Sequence, residues 1–260
     1  MARILITGSS DGLGLWAARL LSSWHHEVVA HARNDTRAAE TRKALGEAAA
    51  VVVGDLSTMA GMREVASAAN ATGHFDAVIH NAAVGSEPNR IETADGLCNL
   101  FAVNVLAPYL LTALVEMPAR LVYMSSGMHN GGRASLHDLQ WETRRWNGSQ
   151  AYSDSKLYVA ALGAAVARHR PDVFSNALDP GWVATKMGGK AAPDDPEEGT
   201  FTQAWLCVSD DAEARVSGEF FFHRHPITPH PAMHDVGLQE DLLAACAALS
   251  GVALFGPGGR

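Results

Sequence analysis

Six short stretches of this chain are apolar almost without interruption: "RILIT", "EVVAH", "AAVVVGD", "FDAVIHNAA", "ARLVYMSS" and "DVFSNALDPG". A strand with one wet face alternates apolar and polar residues, whereas a continuous run marks a strand covered on both faces. The segments between them, 14–24, 35–46, 58–70, 94–115 and 150–169, have the length and character of helices. Strand and helix in this alternation predict an α/β fold, a doubly wound parallel sheet with helices on both faces and right-handed crossovers. No linker, repeat or low-complexity block divides residues 1–260, so one domain is expected.

Ligands of such sheets bind beyond the carboxyl ends of the strands. Several predicted strands end there in small or polar residues: Thr7-Gly8, Asp55, Asn81-Ala82, Ser125-Ser126 and Pro180-Gly181. The first of them opens "ILITGSSDGLGLWAARL", a strand, a tight glycine turn and a helix. Gly8, Gly12 and Gly14 permit close backbone approach, and the helix start offers free N–H groups and a positive dipole end, a place for a pyrophosphate.

Composition narrows the function classes. The 260 residues are 47% apolar and 18% charged, with a net charge of −8, which argues against a nucleic-acid partner. Cys98, Cys207 and Cys246 are far apart, in neither a metal pattern nor a disulfide framework, so a reducing, cytoplasmic setting is expected. "MARILITGSSDG" turns Gly/Ser-rich too early for a signal-peptide core. "LYVAALGAAVA" is too short to span a bilayer, and "LLAACAALSGVALFG" is broken by Ser250 and Gly251. A tail helix packed on its own domain is expected, with no membrane contact.

The turn spacing, Thr-Gly-x-x-x-Gly-x-Gly, resembles the short-chain dehydrogenase/reductase family in its standard-length branch. That resemblance implies a single-domain Rossmann fold and a nicotinamide cofactor. At the end of the second strand it aligns Ala32 where NAD enzymes carry an acid, followed by Arg33, whose guanidinium suits a 2′-phosphate. NADP(H) is therefore expected over NAD(H), although Asp35 lies close by and Asp11 stands where NADP-dependent relatives are often basic. "VVVGDLS" places Asp55 and Leu56 where the family contacts adenine. "IHNAAV" resembles the family's Asn-Asn-Ala-Gly, with His80 and Ala83 in place of its first Asn and its Gly. "DPGWVATKM" places Thr185 where the family hydrogen-bonds the nicotinamide carboxamide. The implied cofactor set is Gly8, Ser10, Asp11, Gly12, Leu13, Gly14, Arg33, Asp55, Leu56, Asn81, Ala82, Ala83, Tyr152, Lys156, Pro180, Gly181, Val183 and Thr185.

"SQAYSDSK" puts Tyr152 and Lys156 four positions apart, on one helix face. An ammonium about 5 Å from the phenol, at an effective dielectric near 20, would favour phenolate by about 3 kcal/mol, roughly two pKa units. The spacing is common by chance. With Asn104 of "FAVNVLAPYLL" and Ser126 of "LVYMSSGMH", in order behind the glycine turn, it resembles the family's catalytic tetrad. The implied roles are Tyr152 as acid/base, Ser126 orienting substrate (Ser125 as the fallback), Lys156 tuning Tyr152 and binding ribose, and Asn104 supporting a proton path.

Twenty-five residues separate Ser126 from Tyr152, and "SSxxH…DL…W…AYxxSKL" resembles the retinol-dehydrogenase-like subgroup. Within this insertion, at about 127–150, Trp141 and Trp146 could wall a hydrophobic pocket or pin the insertion to the surface. Residues 187–200, rich in Gly, Pro and acids, fit a mobile substrate lid. His223, His225, His230 and His234 match no common metal spacing, and no metal is expected. The reading is an NADP(H)-dependent oxidoreductase of a hydrophobic carbonyl or alcohol, a homodimer or homotetramer by resemblance. A non-catalytic nucleotide sensor or scaffold, and a reductase of C=C bonds, remain open alternatives.

Overall fold

The computed structural model describes residues 1–256. Each apolar run forms a strand: β1 (Arg3–Ile6), β2 (Glu27–Ala32), β3 (Ala50–Val53), β4 (Ala77–His80), β5 (Arg120–Met124) and β6 (Phe174–Asp179). Two further strands complete one sheet, β7 (Phe220–Phe222) and the two-residue β8 (His225–Pro226). The order is β3-β2-β1-β4-β5-β6-β7-β8, parallel throughout except for the β7–β8 pair. Strand order reverses between β1 and β4, which places the ligand crevice at their carboxyl ends.

Alternation within each strand divides the core. Leu5, Val78, Leu121, Tyr123, Ala177 and Phe220 face one layer of helices: α3 (Met59–Thr72), α5 (Ala107–Leu114), α6 (Gly148–His169) and α8 (Val236–Ser250). Ile4, Ile6, Ile79, Val122, Met124, Leu178 and Phe221 face the other, built from α1 (Gly12–Ser23) and α7 (Pro196–Val208). The helix α2 (Asp35–Leu45) covers the β2–β3 end. The expected tail helix is α8, whose Leu242, Leu243 and Cys246 join the first core layer. Among the described residues no helix is long and apolar enough to cross a membrane.

Two expected boundaries change. The helix expected over 94–115 starts at α4 (Asn99–Phe101), passes through a π-helical stretch, Ala102–Leu106, and continues as α5. Glu92 and Cys98 instead bridge across a turn at the start of that span. The loop expected over 187–200 ends at Pro196, because Asp195 caps the Glu197 amide and Pro196 pre-sets the first turn of α7.

His80 ends β4 buried, its ring stacked 4.8 Å from that of Tyr123. Thr112 gives its hydroxyl proton to Pro108 O, so His80 Nε2 donates to Thr112 Oγ1 at 3.1 Å. Burial lowers the His80 pKa to about 3, so the folded protein holds this ring neutral while the unfolded chain protonates it near pH 6.5. Stability is therefore lost as pH falls below about 6.5, by about 2 kcal/mol at pH 5 from His80 alone. His80→Asn is expected to flatten the fall of Tm between about pH 6.5 and 5, measured by thermal denaturation against pH.

Candidate active site

The β1–α1 turn is pressed against the tip of β4. Gly8 has φ +62°, and a Cβ there would lie 2.7 Å from Ala82 Cα. Asn81 Nδ2 donates to Thr7 O (2.9 Å) and Gly8 O (3.1 Å), and a Cβ on Gly14 would fall 2.4 Å from that nitrogen. Only glycine fits at either position. His31 supports the turn from beneath: Nδ1 accepts from Gly8 N at 2.9 Å, so Nε2 carries the proton and donates to Gly54 O. Burial holds its pKa low, consistent with a neutral ring.

Beyond this turn lies a cleft of about 630 Å³ at the switch point. Gly8, Ser10, Asp11, Gly12, Leu13, Gly14, Arg33, Asp55, Leu56, Asn81, Ala82, Ala83, Tyr152, Lys156, Pro180 and Thr185 all line it. Gly181 and Val183 do not. Gly181 turns the chain at φ +85° against Asp194, and Val183 is buried, bridged to Asp194. Ser57, Val84, Asn99, Val103, Met124 and Met187 line it without having been anticipated, as do His31, Arg37 and Lys186; Ser125, the fallback serine, lines it and Ser126 does not.

The charges around the cleft differ from the expectation. Arg33 is exposed at its edge and pairs with no carboxylate among the described residues. Arg37, one turn into α2, reaches across to Ser10 O (3.1 Å) and Asp11 Oδ2 (3.3 Å). Lys186, from the loop after β6, also donates to Asp11. The acid that stood where a base was expected is thus held between two cations, and Lys186 foremost keeps its pKa low. Four cationic side chains, Arg33, Arg37, Lys156 and Lys186, line the cleft with Asp11 and Asp55.

Tyr152 and Lys156 lie in the second and third turns of α6, which Asn147 caps by accepting from Gln150 N (3.0 Å). Lys156 is buried; Nζ donates to Met124 O at 2.8 Å and sits 5.5 Å from the Tyr152 ring centroid. The Ser126 side chain adjoins the Tyr152 hydroxyl. Ser125 points elsewhere, donating to Lys156 O (2.8 Å). The strand tip therefore brings Ser126, not Ser125, to the phenol. Asn104 lies one layer behind, in the π-helical stretch: Oδ1 accepts from Val84 N, and Nδ2 donates to Val84 O and Ser155 Oγ. It lines no part of the cleft and makes no direct hydrogen bond to Lys156.

One electrostatic expectation is reversed. Burial pushes the Tyr152 hydroxyl up to about 12; the adjoining Ser126 side chain opposes this and the nearby Asp179 carboxylate adds to it. Burial also lowers Lys156 to about 8, with Asp179 opposing. The lysine that was to make the phenol more acidic is itself desolvated, with its Nζ committed to a backbone carbonyl. Desolvation wins over the pair's mutual field.

The insertion forms a 3-10 turn, Gly127–Gly131, then a loop that ends where α6 begins at Gly148, so 148–150 belong to the helix. Trp141 is buried edge-on to Trp146, with Arg144 stacked 3.6 Å over it, and Trp146 Nε1 donates to Glu87 O. The pair pins the insertion to the body and walls no part of the cleft at Tyr152. His230 N donates to Nε2 of the buried His129, whose Nδ1 donates to Ser126 O at 2.7 Å. No three His, Cys, Asp or Glu side chains gather as a metal site among the described residues.

A family model described as short chain dehydrogenase matches residues 2–196. The chain is a short-chain dehydrogenase. An uncharacterized oxidoreductase of Emericella nidulans is 43% identical to this dehydrogenase over the full length of both chains. Human retinol dehydrogenase 13 is 27% identical, with 96% of this chain matching 84% of that one, in keeping with the subgroup resemblance. Among solved structures, an uncharacterized protein from Mycobacterium paratuberculosis superposes with TM-score 0.84 at 24% identity, covering 98% of this dehydrogenase and 95% of that chain. A Pseudomonas aeruginosa RhlG/NADP active-site complex (TM-score 0.66, 21% identity) covers 85% of this chain and 93% of its own. A Brucella melitensis 3-ketoacyl-(acyl-carrier-protein) reductase complexed with NADH (TM-score 0.65, 20% identity) covers 85% and 95%. These structures share the Rossmann fold with this dehydrogenase.

Proposed function

We propose that this dehydrogenase is an NADP(H)-dependent oxidoreductase that interconverts a carbonyl and an alcohol, with Tyr152 as acid/base. The observation that carries the reading is Tyr152 beside buried Lys156 at the edge of the glycine-cradled cleft, with Ser126 adjoining the phenol. The cleft suits a dinucleotide: Gly8, Gly12 and Gly14 line it, and the start of α1 faces it. Relatives solved with NADP and with NADH support the nicotinamide class. The preference for NADP rests on unpaired Arg33, joined by Arg37, where a carboxylate would repel a 2′-phosphate.

A bound nicotinamide supplies the hydride, and in its oxidised form a positive charge near the phenol. The chain's own groups manage the proton. For reduction, Tyr152 gives its proton to the carbonyl oxygen, and its high proton affinity keeps it in the acid form. Ser126 donates a hydrogen bond to the same oxygen, where negative charge develops. Lys156 holds its position through Met124 O, within reach of the ribose, and Asn104 fixes the backbone of Val84 against α6 through Ser155. Exposed Met128, Trp182 and Met187, on the segments leaving β5 and β6, favour an apolar substrate. A single domain with a lid over about 187–195, a cytoplasmic setting and a homo-oligomer complete the reading.

The cofactor assignment has a direct test. Arg33→Ala with Arg37→Ala is expected to weaken NADPH binding by about 10- to 100-fold, with NADH changed little, in fluorescence titrations of each cofactor. Equal weakening of both cofactors would overturn the NADP preference.

A further inference from the structure

We propose that Asp179 is a specificity-determining residue that accepts a hydrogen bond from a donor group on the carbon next to the substrate carbonyl. The substrate class is then α-hydroxy or α-amino carbonyl compounds and their alcohols. This rests on the carbonyl/alcohol reading above and names the substrate class it leaves open.

Strand parity aims the side chain. In β6, Ser175 Oγ donates to Gly163 O of α6, and Ala177 is buried in the core layer that α6 covers. Leu178 faces the opposite layer. Asp179 shares the face of Ser175 and Ala177, the face on which Tyr152 and Lys156 lie. It is the last residue of β6, at the carboxyl edge where ligands of this fold bind.

Neighbours place the carboxylate against the reacting end. Oδ1 accepts from Gly181 N at 3.0 Å, and this contact fixes the carboxylate. Oδ2 lies 2.8 Å from where a Cβ on Gly127 would sit, so it touches the turn that carries Ser126. Its charge is felt by Tyr152, Lys156 and His129, each of which it makes hold a proton more tightly. The substrate oxygen belongs between Ser126 and Tyr152, and this carboxylate stands beside that position.

The pairing of the carboxylate is incomplete. Among the described residues no Lys, Arg or His lies within ion-pair distance of it, and Oδ2 has no hydrogen-bond donor from the chain. The residue is only partly exposed, and a half-desolvated carboxylate gains from a donor that a ligand brings. Met187 at the cleft edge offers apolar contact, so discrimination near the carbonyl falls to Asp179.

The test uses acetophenones of matched shape on the full-length enzyme. The α-hydroxy compound offers a donor, the α-methoxy compound an oxygen without one, and the α-amino compound a cation. Binding to the enzyme–NADPH complex, read by cofactor fluorescence, and kcat/KM are measured for each. Wild type is expected to favour α-hydroxy over α-methoxy by about tenfold, and Asp179→Ala to bring the ratio near one. Asp179→Asn keeps an oxygen for Gly181 N and for a hydroxyl, so it is expected to keep the hydroxy preference but lower the amino-to-hydroxy ratio about tenfold. A wild-type hydroxy-to-methoxy ratio within about twofold, or ratios unchanged in both variants, would overturn the proposal. Preferential binding without any turnover would support Asp179 while sinking the oxidoreductase reading.

Discussion

Tyr152→Phe lowers turnover by about 10²- to 10⁴-fold and leaves NADPH affinity within about twofold of wild type. The phenol stands at the cleft edge beside Lys156, with Ser126 adjoining it. Phenylalanine removes the phenol oxygen and its proton while keeping the ring 5.5 Å from Lys156 Nζ. The buried Lys156–Met124 hydrogen bond does not depend on the phenol, so the fold and the cofactor cleft persist. Steady-state rates with NADPH and a carbonyl substrate, paired with a fluorescence titration of the cofactor, give the two numbers. Turnover retained within tenfold would remove Tyr152 from the mechanism. The high proton affinity of the phenol also sets a direction with pH. Reduction needs the protonated form and falls as the phenol ionises, whereas alcohol oxidation needs the phenolate and rises with pH.

Phe220→Ala is expected to cost about 3–5 kcal/mol, roughly 10 °C in Tm, by thermal or chemical denaturation. Phe220 is wholly buried, paired with Ala177 across β6–β7. Its ring stacks 4.2 Å from that of His129. His129 is neutral through burial, donates from Nδ1 to Ser126 O and accepts His230 N at Nε2. Truncation therefore opens a cavity and frees the imidazole that holds the Ser126 turn. A loss of kcat/KM smaller than that of Tyr152→Phe should accompany the loss of stability. A variant as stable as wild type would show that β7 is not part of the core.

The strands of the central sheet were legible because burial on both faces leaves continuous apolar runs, and "RILIT" and "EVVAH" lie where those runs predicted. The glycine turn was legible from its spacing, although the contacts that demand Gly8 and Gly14 come from Ala82 and Asn81, just past β4. β7 and β8 were missed although "FFF" follows Gly218, since a three-residue run is too short to separate from a loop. Asp195-Pro196-Glu197-Glu198 carried a helix-start signal that acidic, proline-rich composition hid within the expected lid. Arg37 and Lys186 reach the turn through long side chains from distant segments, which spacing does not record. The Tyr152–Lys156 spacing showed neighbours correctly, but the burial of both groups, which reverses the expected shift, comes from the whole fold. Asp179 carries no sequence signal of its own beyond standing before Pro180-Gly181.

The central claim is hydride transfer between NADPH and a carbonyl carbon. Turnover with NADPH deuterated at nicotinamide C4, followed by mass spectrometry and NMR of the product, tests it directly. The account predicts deuterium on the carbinol carbon of an alcohol formed in equal amount to the NADP⁺ released. Deuterium on a carbon of a former C=C bond, or NADPH bound with no label transferred to any carbonyl substrate, would contradict it.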